Sequence, residues 1–220
     1  TKAGTDSTRT TSFTLTNSAD IDDASAFIVA PQVTIDPGVD VTDGVLLTET
    51  AGTLDLTAGD YFGSVFVFKA ITVEGPNAGI DPNTGTRGAE AILYPEGATY
   101  GIFSDRAVTI DGLLLDGDNP NIPVDAAGNG DGADKDALYG IYTANGDADG
   151  PALIQNNLIK NFGFNGFVGF VNSGASSGNA VLNNEFENIS TASGLDGRAI
   201  SPRWNYYADV KNNVVRESSI

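Results

Sequence analysis

Three observations predict an all-β chain wound as a parallel β-helix. Glycine (27 residues), Asn, Asp, Ser and Thr dominate the polar residues while Lys and Glu are few, a balance that favours turns and strands over helices. Apolar residues gather in short clusters between turn signals, each of strand length and none long enough for a helix. An asparagine-marked unit recurs at a fixed interval: residues 154–159 align with 182–187 and again with 210–215, a spacing of 28 both times (182 − 154, 210 − 182). In each unit an apolar residue, a polar pair and a second apolar run follow one another, as expected where a coil bends between two sheets.

The elements follow in order. At 220 residues one domain is expected. Residues 1–24 form a Thr/Ser-rich segment whose alternation at Ser12, Phe13, Thr14, Leu15 and Thr16 reads as one strand, a cap or a strand lent to a neighbour. Residues 25–220 form the β-helix. Between Phe27 and Leu56 five clusters (27–29, 33–35, 39–41, 45–47 and 54–56) read as strands, and almost no helix is expected. Further on, Gly101-Ile102-Phe103, Gly140-Ile141-Tyr142, Gly166-Phe167-Val168 and Arg198-Ala199-Ile200 mark another strand of each coil. Asn156, Asn184 and Asn212 are read as a ladder at the bend, since asparagine tolerates the left-handed conformation and can pass side-chain hydrogen bonds up a stack. Phe162, Phe164, Phe167 and Phe170 read as core stacking, and the last coil is expected to stand uncovered.

Residues 53–61 run through Ala58, Gly59 and Tyr61 into a strand at Val65–Phe68, then Lys69, Ile71, Thr72, Val73 and Gly75. This succession resembles the opening coils of right-handed β-helix proteins of the pectate lyase and pectinesterase-like superfamily, over roughly residues 50–220. The resemblance implies the right hand of the helix and a secreted bacterial protein. The architecture hosts lyases, esterases, adhesins and inert surface proteins alike, so it implies a fold more than a chemistry.

Composition excludes several function classes. With 11 Lys plus Arg against 29 Asp plus Glu, the net charge of −18 argues against nucleic acid or an anionic membrane as partner. No apolar stretch approaches the ~20 residues of a membrane span, so no membrane insertion is expected. The chain has no His and no Cys, which removes the usual zinc ligands, the imidazole base and any disulfide framework. A secreted, extracellular or cell-surface location suits this balance.

Five sets of residues carry candidate chemistry. Asn145, Asp147 and Asp149 match the opening of a calcium loop, with oxygen ligands at alternate positions, although Asn156 stands where a bidentate Glu is expected. The Asp-rich stretch 116–137 offers a second cluster for Ca²⁺, and no organic cofactor is expected. Lyases of the resembling superfamily use Arg or Lys as base, which points to Arg198 or Arg203, with Asp196 helping to hold a cation. Trp204, Tyr206 and Tyr207 are candidates for stacking on sugar rings. Asn188, Ile189 and Ser190 have the form of a glycosylation sequon, placed in a repeat turn.

These readings converge on a non-catalytic extracellular β-helix with a structural, adhesive or assembly-forming role, whose partners are copies of itself or neighbouring surface proteins. The alternative is a carbohydrate-active protein, either a polysaccharide lyase on acidic glycans or a glycan-binding module.

Overall fold

A computed structural model of the chain describes residues 12–15, 29–97, 99–123, 135–146, 149–171, 174–189 and 197–217. Two strands and a helix open it: β1 (Ser12–Leu15), β2 (Ala30–Ile35) and α1 (Val41–Leu47). The first full coil is β3 (Thr48–Leu56), β4 (Gly59–Phe62) and β5 (Val65–Val67). The second is β6 (Ile71–Glu74), β7 (Ala91–Tyr94) and β8 (Tyr100–Ser104). The third is β9 (Val108–Asp111), β10 (Leu114–Asp116) and β11 (Tyr139–Thr143). Then come β12 (Ala152–Gln155), β13 (Leu158–Lys160) and β14 (Asn165–Gly169), followed by β15 (Ser176–Leu182), β16 (Glu185–Glu187) and β17 (Arg198–Pro202). A last partial coil holds β18 (Tyr206–Lys211) and β19 (Val214–Arg216).

Like strands of successive coils pair in parallel, giving three sheets. Sheet A runs β1-β2-β3-β6-β9-β12-β15-β18, sheet B runs β4-β7-β10-β13-β16-β19 and sheet C runs β5-β8-β11-β14-β17. The chain is a right-handed parallel β-helix. The register explains the core. In sheet A, Val33, Leu54, Val73, Ile110, Ile154 and Val181 lie one above the other and are all fully buried. Tyr61, Leu93, Leu115, Ile159 and Phe186 do the same in sheet B, and Val65, Ile102, Ile141 and Phe167 in sheet C. Each such side chain removed from water contributes about 1.5–3 kcal/mol. The two columns that reach the last rung end exposed, Val210 at 45% and Val215 at 52%.

One helix appears where strands were expected. Residues 41–47 form α1 because Asp40 accepts a hydrogen bond from the Thr42 N–H at 2.8 Å, an N-cap, and because Val41 and Val45 sit four apart on one face and are buried together with Leu47. The β-branched residues and Gly44 hide this helix from a propensity reading. Its packing against β2, β3 and β5 supplies the stability that propensity does not. Strand β1 falls where the alternation placed it and pairs in parallel with β2; the rest of residues 1–24 lies outside the described residues.

The asparagine ladder is real, but its register differs from the 28-residue alignment. Ile154 pairs with Val181, and Val181 with Val210, at spacings of 27 and 29 (181 − 154, 210 − 181). Leu182 faces outward beside Gln155 and Lys211. The run Val181-Leu182 has two candidate inward residues, and a one-residue slip exchanges every side chain between faces. As a result the asparagines form two ladders. Asn156, Asn183 and Asn212 are all left-handed (φ 56°, 56° and 58°), as is Gly112 before them. Asn183 Nδ2 donates to Asn156 Oδ1 at 3.4 Å and Asn212 Nδ2 to Asn183 Oδ1 at 3.2 Å. Asn184 belongs instead to an inner ladder with Asn157 and Asn213. Asn157 Oδ1 accepts from the Leu113 N–H, Asn184 Oδ1 from the Asn157 N–H and Asn213 Oδ1 from the Asn184 N–H, all at 2.9–3.0 Å. Asn184 Nδ2 also donates to the Ile154 carbonyl.

The sequon asparagine is likewise committed, for Asn188 Nδ2 donates to Asn161 Oδ1 and Asn161 Nδ2 to Asp116 Oδ1, a third ladder at the next bend; Ser190 lies outside the described residues. Loop 76–90 folds over the first ladder. Arg87 pairs with Glu90 at 2.7 Å and donates to the carbonyls of Asn156 (2.7 Å) and Leu113 (3.3 Å). A side chain at Gly112 would collide with the backbone of Asn77 and Ala78 in this loop, which is why glycine stands there.

Asn184→Ala is expected to cost about 2–4 kcal/mol, since it strands the buried Asn157 N–H and Ile154 carbonyl. Lys211→Ala, which loses one exposed ion pair, is expected to change stability by no more than about 0.5 kcal/mol. Urea unfolding followed by circular dichroism measures both.

Candidate functional site

The outer face of sheet C carries an organised set of aromatic side chains outside the core. Register creates it. Phe66 pairs with Phe103, Phe103 with Tyr142, and Tyr100 with Tyr139, so each outward aromatic meets another one rung away. Phe66 stacks on Phe103 at 5.2 Å and 12°, and Phe103 on Tyr142 at 5.8 Å and 19°. Phe170 and Trp204 continue the column, with centroids 6.3 Å and 5.1 Å apart. A second column runs Tyr100, Tyr139, Phe164 at 5.5 Å intervals and ends under the Arg203 guanidinium, 5.7 Å from the Phe164 centroid. Such offset and edge contacts are worth about 0.5–1.5 kcal/mol each beyond area burial.

This strip crosses five rungs, about 19 Å at ~4.8 Å per rung. Its ends are the most open, Phe66 at 42% and Trp204 at 76% exposed. Near the first end Phe66, Tyr100 and Phe103 line an apolar hollow of about 340 Å³ with Ser64 and Val65. Burial raises the Tyr139 and Tyr142 hydroxyls above their ordinary range, with Arg203 opposing, so both stay neutral donors at neutral pH. At the fourth rung Asn165 takes the register position of Tyr100 and Tyr139, fully buried and with neither amide atom hydrogen-bonded. Sheet A contrasts with this face. Asp55, Glu74 and Asp111 stand on successive rungs, and burial followed by repulsion from both neighbours raises the Glu74 carboxyl.

The sugar-stacking candidates separate. Trp204 belongs to the strip. Tyr206 is a core residue, 7% exposed, packed on Phe167 with its hydroxyl 3.1 Å from Thr143 Oγ1, and is corrected from a ligand contact to a structural one. Strand alternation turns Tyr207 to the opposite face, where it is 61% exposed beside Asn179, Ala180 and Asp209. Of the four phenylalanines read as core, Phe162 and Phe167 are fully buried, whereas Phe164 and Phe170 face outward in the strip. The aromatics that the sequence reading missed are Phe66, Tyr100, Phe103, Tyr139 and Tyr142. Their signal was the flanking of the repeated glycine, as in Tyr100-Gly101-Ile102-Phe103 and Tyr139-Gly140-Ile141-Tyr142, where a residue on each side points out.

Of the lyase candidates, Arg198 is exposed on β17 in register with Asn165. Arg203 covers Phe164 and donates from Nε to Ser201 Oγ at 3.2 Å. Asp196 lies outside the described residues. Among the calcium-loop candidates Asn145 is buried and Asp149 half-buried, while Asp147 lies outside the described residues. Of the 116–137 cluster, Asp116 pairs with Lys160 at 3.0 Å and Asp136 accepts from the Asn119 N–H; residues 124–134 lie outside the described ones. Among the described residues no three acidic side chains converge as a metal site.

The Tyr206 hydroxyl is pushed up to about 12, chiefly by burial, against about 10 for a free tyrosine. Its folded-state value is the higher, so its contribution to stability is complete below pH 10 and is lost as pH rises from about 10 to about 12. Tyr206→Phe is expected to lower stability at pH 7 by about 1 kcal/mol, through the lost Thr143 bond, and to flatten the alkaline decline measured by thermal melts from pH 8 to 12. No protein-family model matches the chain, and no curated protein matches it in sequence.

Proposed function

We propose that this chain is an extracellular, non-catalytic β-helix of the pectate lyase-like kind that adheres to glycans, holding a polysaccharide along the aromatic strip of sheet C. The strip carries this reading. Exposed aromatic rows are costly to leave in water and mark binding surfaces on soluble proteins. Flat rings offer apolar faces to the C–H face of a sugar, and the Tyr139 and Tyr142 hydroxyls and the Arg203 guanidinium supply the polar contacts at its edge. Stacked nucleobases would use the same rings, but a net charge of −18 repels their phosphates.

Glycan-array screening followed by titration calorimetry tests the proposal. Trp204→Ala and Phe103→Ala are each expected to weaken binding about tenfold or more, or about 1.4 kcal/mol. Tyr207→Ala, on the other face, is expected to leave it unchanged. Equal loss in all three variants, or none, removes the strip from the account.

Assembly between copies is a second reading, favoured by Val210 and Val215, exposed at register positions that are buried on the earlier rungs from Val33 and from Tyr61 onward. Size-exclusion chromatography with light scattering is then expected to show a concentration-dependent oligomer that Val215→Asp disperses. A monomer at all concentrations contradicts it.

A further inference from the structure

We propose that the strip takes a straight, neutral glycan of equatorially linked sugars, a cellulose-type β-glucan being the simplest, and that Trp204 is its anchor, the ring on which one sugar lies face to face. The inference rests on the glycan reading of the strip and names within it the ligand class and the point of grip.

Trp204 stands where its own backbone disfavours it. Among the described residues nine non-glycine residues are left-handed, and six of them are asparagines, which tolerate that conformation. Trp204 (φ 35°) is the only one of the nine with an aromatic side chain. Asn205 follows it, also left-handed (φ 53°), so the turn between β17 and β18 takes two such residues in succession, positions that glycine or asparagine ordinarily fill. Bonds to the coil before hold the turn on both sides. The Arg203 N–H donates to the Gly169 carbonyl at 2.7 Å and Asn205 Nδ2 to the Gly174 carbonyl at 3.2 Å, while the Asn205 carbonyl accepts from the Ser176 N–H at 3.1 Å. Packing does not explain the ring, which is 76% exposed and rests one side against Phe170. A bulky side chain kept on a strained backbone and out in water marks a contact with something beyond the chain.

Orientation frees its face. Phe66, Phe103 and Tyr142 lie nearly parallel, at 12° and 19°, and cover much of one another's faces. The angle then opens to 40° between Tyr142 and Phe170 and to 52° between Phe170 and Trp204. The line of the strip selects the shape of the ligand. In-register pairing repeats the aromatic positions at a nearly constant step, so a chain that follows them must be extended and show apolar faces along its length. Pyranoses joined and substituted through equatorial bonds form such ribbons, because their hydroxyls project sideways and their axial C–H bonds make up the faces. Chains joined through axial bonds coil away from a straight line. Charge selects further: at −18 the protein repels polyanions, and the guanidinium in the strip, Arg203, is already seated on Phe164 and bonded to Ser201.

Titration of the full chain with cellohexaose, followed by tryptophan emission, tests the inference, because Trp204 is the one tryptophan of the sequence. Saturable binding with a blue shift of that emission is expected, and no binding of an oligogalacturonate of the same length. Trp204→Ala and Trp204→Gly are each expected to weaken cellohexaose binding at least about tenfold in calorimetry. The strain supplies an independent readout: Trp204→Gly is expected to melt about 2–4 °C above Trp204→Ala, the reverse of their order at an ordinary position. Failure of cellohexaose to bind a chain that binds another glycan overturns the ligand class, as does equal affinity for the oligogalacturonate. Emission unmoved at saturation, or Trp204→Gly melting at or below Trp204→Ala, overturns the anchor. A chain that binds no glycan of the array instead removes the reading of the strip on which the inference rests.

Discussion

Parallel in-register pairing is the constraint on which the rest of this molecule depends. When each strand lies over the same strand of the coil before, every side chain meets its counterpart about 4.8 Å away, inside and out. A residue type that tolerates its own company is stabilised along the whole stack, and one that does not is penalised at every rung. The aliphatic columns of the core, the asparagine ladders at the bends and the aromatic columns of sheet C are three answers to that condition. Glu74, between Asp55 and Asp111, shows its cost: burial raises its carboxyl, and the acids on both neighbouring rungs raise it further.

The bends show how strictly the condition acts. At the short turns from sheet A to sheet B in the later coils the chain adopts a left-handed residue, and asparagine at 156, 183 and 212 meets that need while linking coil to coil. The following position carries the inner ladder, whose amides pair backbone groups that the turn takes out of the sheets. Loop 76–90 then lies over these turns, and Arg87, held by Glu90, binds carbonyls from two different coils. This insertion is thereby a clasp on the solenoid. Function moves to the faces the clasp leaves open.

Much of this was legible in the sequence. Recurring asparagines and strand-length apolar runs gave the solenoid, and the Gly-Ile-Phe type repeats gave the strands that became sheet C. What escaped had specific causes. Val181 and Leu182 are both apolar, so alternation alone did not decide which faces inward, and one residue of slip misassigned Asn184. Helix α1 is stabilised by a cap at Asp40 and by packing, neither of which propensity registers. Tyr206 and Tyr207 are adjacent, and only the direction of β18 shows that one enters the core and the other leaves it. The aromatic strip was the largest omission. Its residues lie far apart in the chain, from Phe66 to Trp204, and only the register gathers them.

The central claim is that in-register stacking has built a glycan-binding surface on sheet C. Chemical-shift mapping of the labelled chain by NMR, with the glycan that the array selects, tests it most directly. The account predicts perturbations confined to the outward residues of sheet C and its margins, from Phe66 through Tyr100, Phe103, Tyr139 and Tyr142 to Phe170 and Trp204. Perturbations centred on the acidic outer face of sheet A, around Asp55, Glu74 and Asp111, with the aromatic resonances unmoved, would contradict it.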